Sequence, residues 1–223
     1  MFKRQRRPRP VRSPRRRLVR SLLVLLCALA LSWMALDFPL FTAEQARQAT
    51  ERRYLYGPSE LIAAVDYQRP PNTVWGGKYD RYYIGRTKGF WSWTGVQRDG
   101  LFWRTGAVEA VENHRNIPLI PLPLTGHSWM EGALLVFSNR ADIASVEAEF
   151  PVLRRDSSLF ELIHLRQDNP VDGCFVLSYD EDFRTTSFLY PEDARLTGYD
   201  AAGNLVWRSP TPDSWTQHYE LTP

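Results

Sequence analysis

Leu22 to Leu36 reads LLVLLCALALSWMAL, fifteen residues in which Ser32 is the one polar side chain. At about 1.5 Å per residue a helix over this run covers about 22 Å, short of the roughly 30 Å hydrocarbon core of a bilayer. Starting from Leu18 restores most of the span, because Arg20 can lay its aliphatic stem along the helix and lift its guanidinium to the headgroups. Trp33 suits the opposite interface, and Asp37 with Pro39 in DFPLF marks the exit. The stretch predicts a transmembrane signal-anchor over 18–36 that divides the chain into a basic tail and a displayed domain.

Two other readings fit an N-terminal apolar run, besides a helix buried in a soluble core. A cleaved signal peptide has the same order of charge and apolarity, and Ala28-Leu29-Ala30 matches its small-x-small cleavage pattern. Cutting there leaves LSWMAL, still apolar, at the new N-terminus. A lipoprotein signal wants a small residue before its cysteine, whereas Leu26 precedes Cys27. The uncleaved anchor is preferred and cleavage stays open.

Charge supports the division. Ten of the 28 Lys and Arg lie in positions 1 to 20, where there is no acidic residue, so 18 basic residues face all 25 acidic ones beyond, a net of −7. The overall +3 describes neither part. It argues against a nucleic-acid partner and becomes a positive-inside signal, with the N-terminus cytoplasmic, the C-terminal domain extracellular and the lipid bilayer as the first partner. Residues 1–17, with Pro8, Pro10 and Pro14, have too few apolar side chains to fold and read as a disordered basic cytoplasmic tail. Cys27 lies in the anchor, so Cys174 has no partner on its own side of the membrane and reads as a buried thiol within GCFVLSYD.

After the anchor, Thr42 and Gln45 have capping-box spacing and Gly57-Pro58 supplies a stop, predicting a helix within 42–56 with a thin apolar stripe of Ala43, Ala46 and Ala49. SELIAAVDYQ is apolar but too short to assign. QRPPNTVWGGK reads as a loop. DRYYIGRTKGFWSWTGVQ, the turn signal Arg98-Asp99-Gly100 and LFWRTG together predict a β-hairpin, so 57–125 is an aromatic β-hairpin region. NIPLIPLPLTG holds three prolines, each without a ladder donor, and reads as an extended connection outside any sheet.

Beyond it stand seven short strand candidates: ALLVFS, ASVEAEF, LFELIHL, CFVLSY, TTSFLY, RLTGY and NLVWR. Val146, Ala148 and Phe150 alternate with Glu147 and Glu149, and Asp200 to Asn204 closes the last hairpin. The fold class expected is mainly β, with an N-terminal transmembrane helix, a short amphipathic helix and an antiparallel β-sandwich over 126–209, followed by a C-terminal tail over 210–223.

RADIASVEAEFP, GCFVLSYD and LTGYDAAGNLVW resemble the immunoglobulin-like modules of uncharacterised bacterial envelope proteins. TAEQARQATERRYLYGPSELI with DRYYIG is similar to the start of single-pass membrane-anchored proteins of Gram-positive bacteria that have no assigned activity. The resemblance implies an immunoglobulin-like ectodomain and brings no catalytic residue and no cofactor.

No motif carries chemistry. Gly126-His127-Ser128-Trp129-Met130 opens like a nucleophile elbow, but Met130 stands where the last glycine belongs. His127 and Glu131 have helical spacing and no third ligand for zinc. Asp180 and Asp182 open like a calcium loop, yet Arg184, Thr185 and Pro191 occupy its later positions. No phosphate-binding or dinucleotide fingerprint is present. The expectation is a non-enzymatic extracytoplasmic module with a binding, sensing or envelope-assembly role, without metal or cofactor, whose partner is an unknown envelope protein or glycan. Two alternatives stay open: a glycan-binding protein that uses surface aromatics, and an envelope hydrolase whose carboxylates meet only in space. Trp91 and Trp93, two apart on one strand face, are the ligand-binding candidates, against the competing reading that they are core.

Overall fold

The chain's structure is a computed structural model, and it describes residues 14–36, 40–54, 57–66, 79–124, 132–154, 159–179, 183–184 and 191–221. Helix α1 (Pro14–Leu36) begins at a proline, whose missing N–H costs nothing in the first turn, and continues through leucine and alanine without a breaker. It is long and apolar enough to cross a membrane, and Leu18 through Leu26 are all well exposed wherever they are large and apolar. Pro14 to Arg17, expected in the disordered tail, form the first turn of this helix, and residues 1–13 lie outside the described residues.

Helix α2 (Ala43–Arg53) starts in the expected capping box: Gln45 N donates to Thr42 Oγ1 at 3.1 Å, and Thr42 N to Gln45 Oε1 at 3.3 Å. Its alanine stripe is fully buried with Leu40 against Tyr83 and Val96. Small side chains on that face let the helix lie close on a sheet. Next to the stripe is a buried ion pair. Glu51, 1% exposed, accepts from Arg47 Nη1 at 2.8 Å, from the Ser59 N–H at 3.0 Å, from Ser59 Oγ at 2.7 Å and from Thr94 Oγ1 at 3.3 Å. Four donors meet the desolvation cost that a lone buried carboxylate would carry.

The sheet under α2 has the order β1-β2-β3-β4, all antiparallel, from β1 (Glu60–Asp66), β2 (Arg81–Arg86), β3 (Phe90–Asp99) and β4 (Phe102–Glu112). Glu60–Asp66 of the unassigned SELIAAVDYQ is its first strand. The aromatic stretch expected as one hairpin forms two, since the chain also reverses at residues 87–89. The Asp99 turn is as read: Gly100 has φ +59° and Asp99 pairs with Phe102 across two loop residues, the geometry in which glycine takes the first central position.

The main departure from expectation is the proline stretch. Leu119–Leu124 is not a connection but a strand, β5, paired along its whole length with β6 (Gly132–Ser138), which in turn pairs with β9 (Cys174–Tyr179). The proline rule holds for an interior strand, and β5 is an edge. Pro121 and Pro123 take alternate positions, those whose N–H would point away from β6, and there a proline removes no ladder bond. The expected division at 125/126 therefore falls between two hydrogen-bonded neighbours of one sheet.

This three-stranded sheet is buried on both faces. Leu134 and Val136 with Phe175 and Leu177 face one core, while Ala133, Leu135 and Phe137 with Cys174 face another, so every residue from Ala133 to Phe137 is buried. Such a strand reads as continuous apolar sequence rather than alternation. The first core is closed by a five-stranded sheet in which β7 (Ser145–Arg154) pairs with β8 (Phe160–Asp168) on one side and with β11 (Arg195–Tyr199) and β10 (Phe183–Arg184) on the other, and β12 (Leu205–Arg208) pairs with β11. The second is closed by the sheet under α2. The body is thus sandwich-like and mainly β, with layers running α2, four-stranded sheet, central sheet, five-stranded sheet. Six of the seven expected strands are present; TTSFLY lies outside the described residues. The segment expected as a C-terminal tail is docked, for α3 (Ser214–Gln217) buries Trp215 completely and its indole N–H donates to Asp193 O at 2.8 Å.

Two substitutions test this account by denaturant unfolding of the full chain in mild detergent. Trp91→Ala empties a filled aromatic site between two sheets and is expected to cost about 3–5 kcal/mol. Gly100→Val meets no neighbour within 4 Å, so its expected loss of about 1–2 kcal/mol comes from positive φ alone. An unchanged midpoint for either variant contradicts the corresponding packing or turn.

Candidate functional site

The ligand candidates are both in the core. Trp91 and Trp93 share a face, as the strand period requires, but that face is turned to the central sheet, and they are 4% and 3% exposed. Trp91 stacks on Phe137 with centroids 4.7 Å apart and planes 7° from parallel. Trp93 meets Tyr82 edge-on at 5.5 Å and donates its indole N–H to Pro123 O at 3.0 Å. A ring covered on its face by another ring offers no platform to a sugar. The layer that covers the pair includes the proline stretch, which is why the sequence left display open.

Polar chemistry gathers instead on the outer face of the five-stranded sheet. Glu147 and Glu149, which alternate with the core positions of β7, lie on this outer face, where neighbouring side chains cover Glu149 to 7% exposure, and register sets His164 of β8 and Arg195 of β11 on either side of it. His164 Nδ1 lies 3.1 Å from Glu149 Oε1, and the Arg195 Nε–H is bonded to Glu149 Oε2. The Tyr199 hydroxyl donates to Glu147 Oε2 at 2.8 Å. The Arg195 guanidinium holds the Glu149 carboxyl below its ordinary range against the opposing effect of burial. Bonding to Glu147, followed by burial, raises the Tyr199 phenol.

Glu147, Glu149 and His164 are the three described side chains whose ligand atoms could converge on a metal, all within 4.8 Å of one another. A carboxylate and imidazole set suits a first-row divalent ion. The donor atoms are, however, already engaged. Arg195 supplies positive charge to Glu149, Tyr199 occupies one oxygen of Glu147, and Arg195 is itself held by Thr211 Oγ1 at 3.0 Å and over the Trp215 ring at 5.0 Å. What the arrangement does in this state is tie three strands and the C-terminal segment together. As acid–base machinery it lacks enclosure, since His164 is 57% exposed on an open sheet face.

An open cleft of about 680 Å³ lies elsewhere, at the β2–β3 turn, bordered by Pro58, Glu60, Arg86, Lys88 and Phe90. Glu60, the one carboxylate among the described residues that border it, forms a two-pronged bond with Arg86 at 2.8 and 3.0 Å. His127, Ser128, Glu131, Asp180 and Asp182 lie outside the described residues. Cys174 is 2% exposed, and burial pushes its thiol up to about 12, which keeps it protonated and inert at neutral pH. The Glu149 network had a partial signal in the alternation of β7, but nothing in the sequence fixes which residues of β8 and β11 stand opposite.

The sign of the pH effect follows from Glu149 being more acidic in the folded chain than its ordinary 4.5. Its contribution is complete above that value and is lost as the pH falls from it through the lowered folded value. Glu149→Gln is expected to cost about 1–3 kcal/mol at neutral pH, the range for a charge-assisted hydrogen bond, with the gap to the parent closing in acid; urea unfolding in both conditions reads it. A gap that persists in acid places the effect in packing instead.

No curated protein and no solved structure matches the chain. One family does, and its match takes in every element from the bridge at Leu40 to the docked C-terminal segment. Spanning residues 39–219, it shows that the chain belongs to the family described as Domain of unknown function (DUF5044).

Proposed function

We propose that this protein is a membrane-anchored, extracytoplasmic, non-enzymatic module with a binding, sensing or assembly role at a bacterial cell envelope. The surface of α1 carries the reading. Leu22, Leu23, Val24, Leu25 and Leu26 are each more than half exposed, so among the described residues nothing covers this stretch of a helix of membrane-spanning length. Lipid is the solvent that removes that cost. An uncleaved anchor is favoured over a signal peptide because the chain beyond the small-x-small site is still helical and apolar through Ala35.

Orientation follows from charge. Ten basic residues before the apolar run that opens at Leu22 and a net of −7 after it support a cytoplasmic tail and a body outside. The resemblance of β7, β9, β11 and β12 to immunoglobulin-like envelope modules supports a binding or assembly role. A non-enzymatic role draws support from the engagement of Glu147 and Glu149, the convergent carboxylates among the described residues, by a phenol and a guanidinium on an open face. Burial of Trp91 and Trp93 takes away the surface on which a glycan-binding reading rested.

The test is protease accessibility in spheroplasts of an expressing bacterium, with epitope tags at both ends. The expected result is loss of the C-terminal tag and survival of a short N-terminal fragment in the membrane pellet. Survival of the C-terminal tag with loss of the N-terminal one reverses the orientation, and recovery of the body in the soluble fraction rejects the anchor.

A further inference from the structure

The last residue of α1, Leu36, is four peptide steps from Leu40, a reach of at most about 15 Å. Leu40 belongs to the body. It forms a bridge with Trp103 at the start of β4, with Trp103 N donating to Leu40 O at 2.8 Å. The next residue, Phe41, meets Phe102 edge-on with centroids 5.6 Å apart. Chain connectivity therefore sets the β3–β4 loop at the same end of the body as the apolar helix. A cleft of about 410 Å³ bordered by Leu29, Ala30, Trp33, Phe41 and Gln45 brings Phe41 beside the last turns of α1.

This end is apolar where a water-facing turn has no need to be. Leu101 is 84% exposed and Phe41 63%, with Phe102 half-buried between loop and strand. The turn requires only Gly100, so its geometry does not explain a leucine at the second loop position. Arg98 and Arg104 flank the tip and are exposed; Arg98 Nε donates to Gly100 O at 3.2 Å, and Arg104 pairs with Asp99. Apolar and aromatic side chains at the tip with guanidinium groups just behind them are the sequence of chemistries met on crossing from acyl chains to phosphate headgroups. At the far end of the ten-residue β3, about 30 Å away, Phe90 lies in the cleft by Lys88 and Arg86.

We infer that the β3–β4 loop, with Leu101 at its tip and Phe41 and Phe102 behind it, is a second membrane contact that enters the interface of the leaflet from which α1 emerges. The inference rests on α1 being an anchor. Two attachments on one side of the four-stranded sheet stop the body from swinging on its short linker and hold the β2–β3 turn away from the bilayer.

The test uses the full chain with Cys27→Ser, so that the buried Cys174 is the one native thiol, reconstituted into vesicles of phosphatidylethanolamine and phosphatidylglycerol. An environment-sensitive fluorophore is placed on Leu101→Cys or, as reference, on Phe90→Cys. Flotation on a density gradient is scored first, then quenching by a nitroxide-bearing lipid and by aqueous iodide. The expected result is severalfold stronger lipid quenching and weaker iodide quenching at position 101 than at position 90. Chains that float with the vesicles but give equal iodide quenching at both positions overturn the loop contact and leave the anchor standing. Chains that fail to float overturn the anchor and the loop contact together.

Discussion

A strand buried on both faces has no solvent-facing side on which to place polar residues, and β6, between β5 and β9, obeys that constraint. Every side chain from Ala133 to Phe137 is apolar and buried. Backbone groups in such a sheet must find partners within the protein, and the difficult ones are at its edge. On β5 two of the outward donors are removed, by Pro121 and Pro123. The outward carbonyl of Pro123 is satisfied by the Trp93 indole. The outer two sheets then need only one apolar face each, turned inward, and α2 covers part of the remaining face of the four-stranded sheet with alanines.

Much of the periphery was legible in sequence because it is governed by local rules. The capping box at Thr42 and Gln45, the alternation along β7 and the glycine turns at Gly100 and Gly203 each depend on a few consecutive residues, and each is found as read. At the centre ALLVFS and CFVLSY were legible as short apolar strands, but neither their burial on two faces nor the third strand beside them was. A doubly buried strand has no period to detect, and a proline-rich edge strand violates a rule written for interior ones. Within SELIAAVDYQ, Glu60–Asp66 is an edge strand of mixed exposure, and its identity comes from pairing with β2 rather than from its own pattern. Trp215 gave no sign of its burial, since its partners Asp193 and Arg195 lie some twenty residues earlier, across the β11–β12 hairpin.

The polar sites divide by environment in a way that explains the same difference. Glu51 and Arg47 sit between a helix and a sheet, where each lone pair needs a donor, and Ser59 and Thr94 supply the remainder from distant parts of the chain. Helical spacing could suggest Arg47 with Glu51 but not the hydroxyls that make their burial tolerable. Glu149, Arg195 and His164 lie on an outer face, where water screens the exposed members and the pairs act mainly as cross-strand ties. Their assembly depends on the register of β8 and β11 against β7, a property of the whole sheet. Of the candidate site, then, the outward direction of two glutamates was readable, and their company was not.

Because the central sheet takes β5 from one side of the chain and β9 from beyond the β7–β8 excursion, both cores share its strands. Neither neighbouring sheet can close its core with its own residues alone. For recombination this matters more than the apparent division of the sequence into an aromatic half and a sandwich half: a crossover between Leu124 and Gly132 would hand one descendant a lone proline strand and the other a sheet missing its edge. The unit that can be exchanged between genes runs from the bridge at Leu40 to the docked C-terminal segment, and the lineage must inherit it whole.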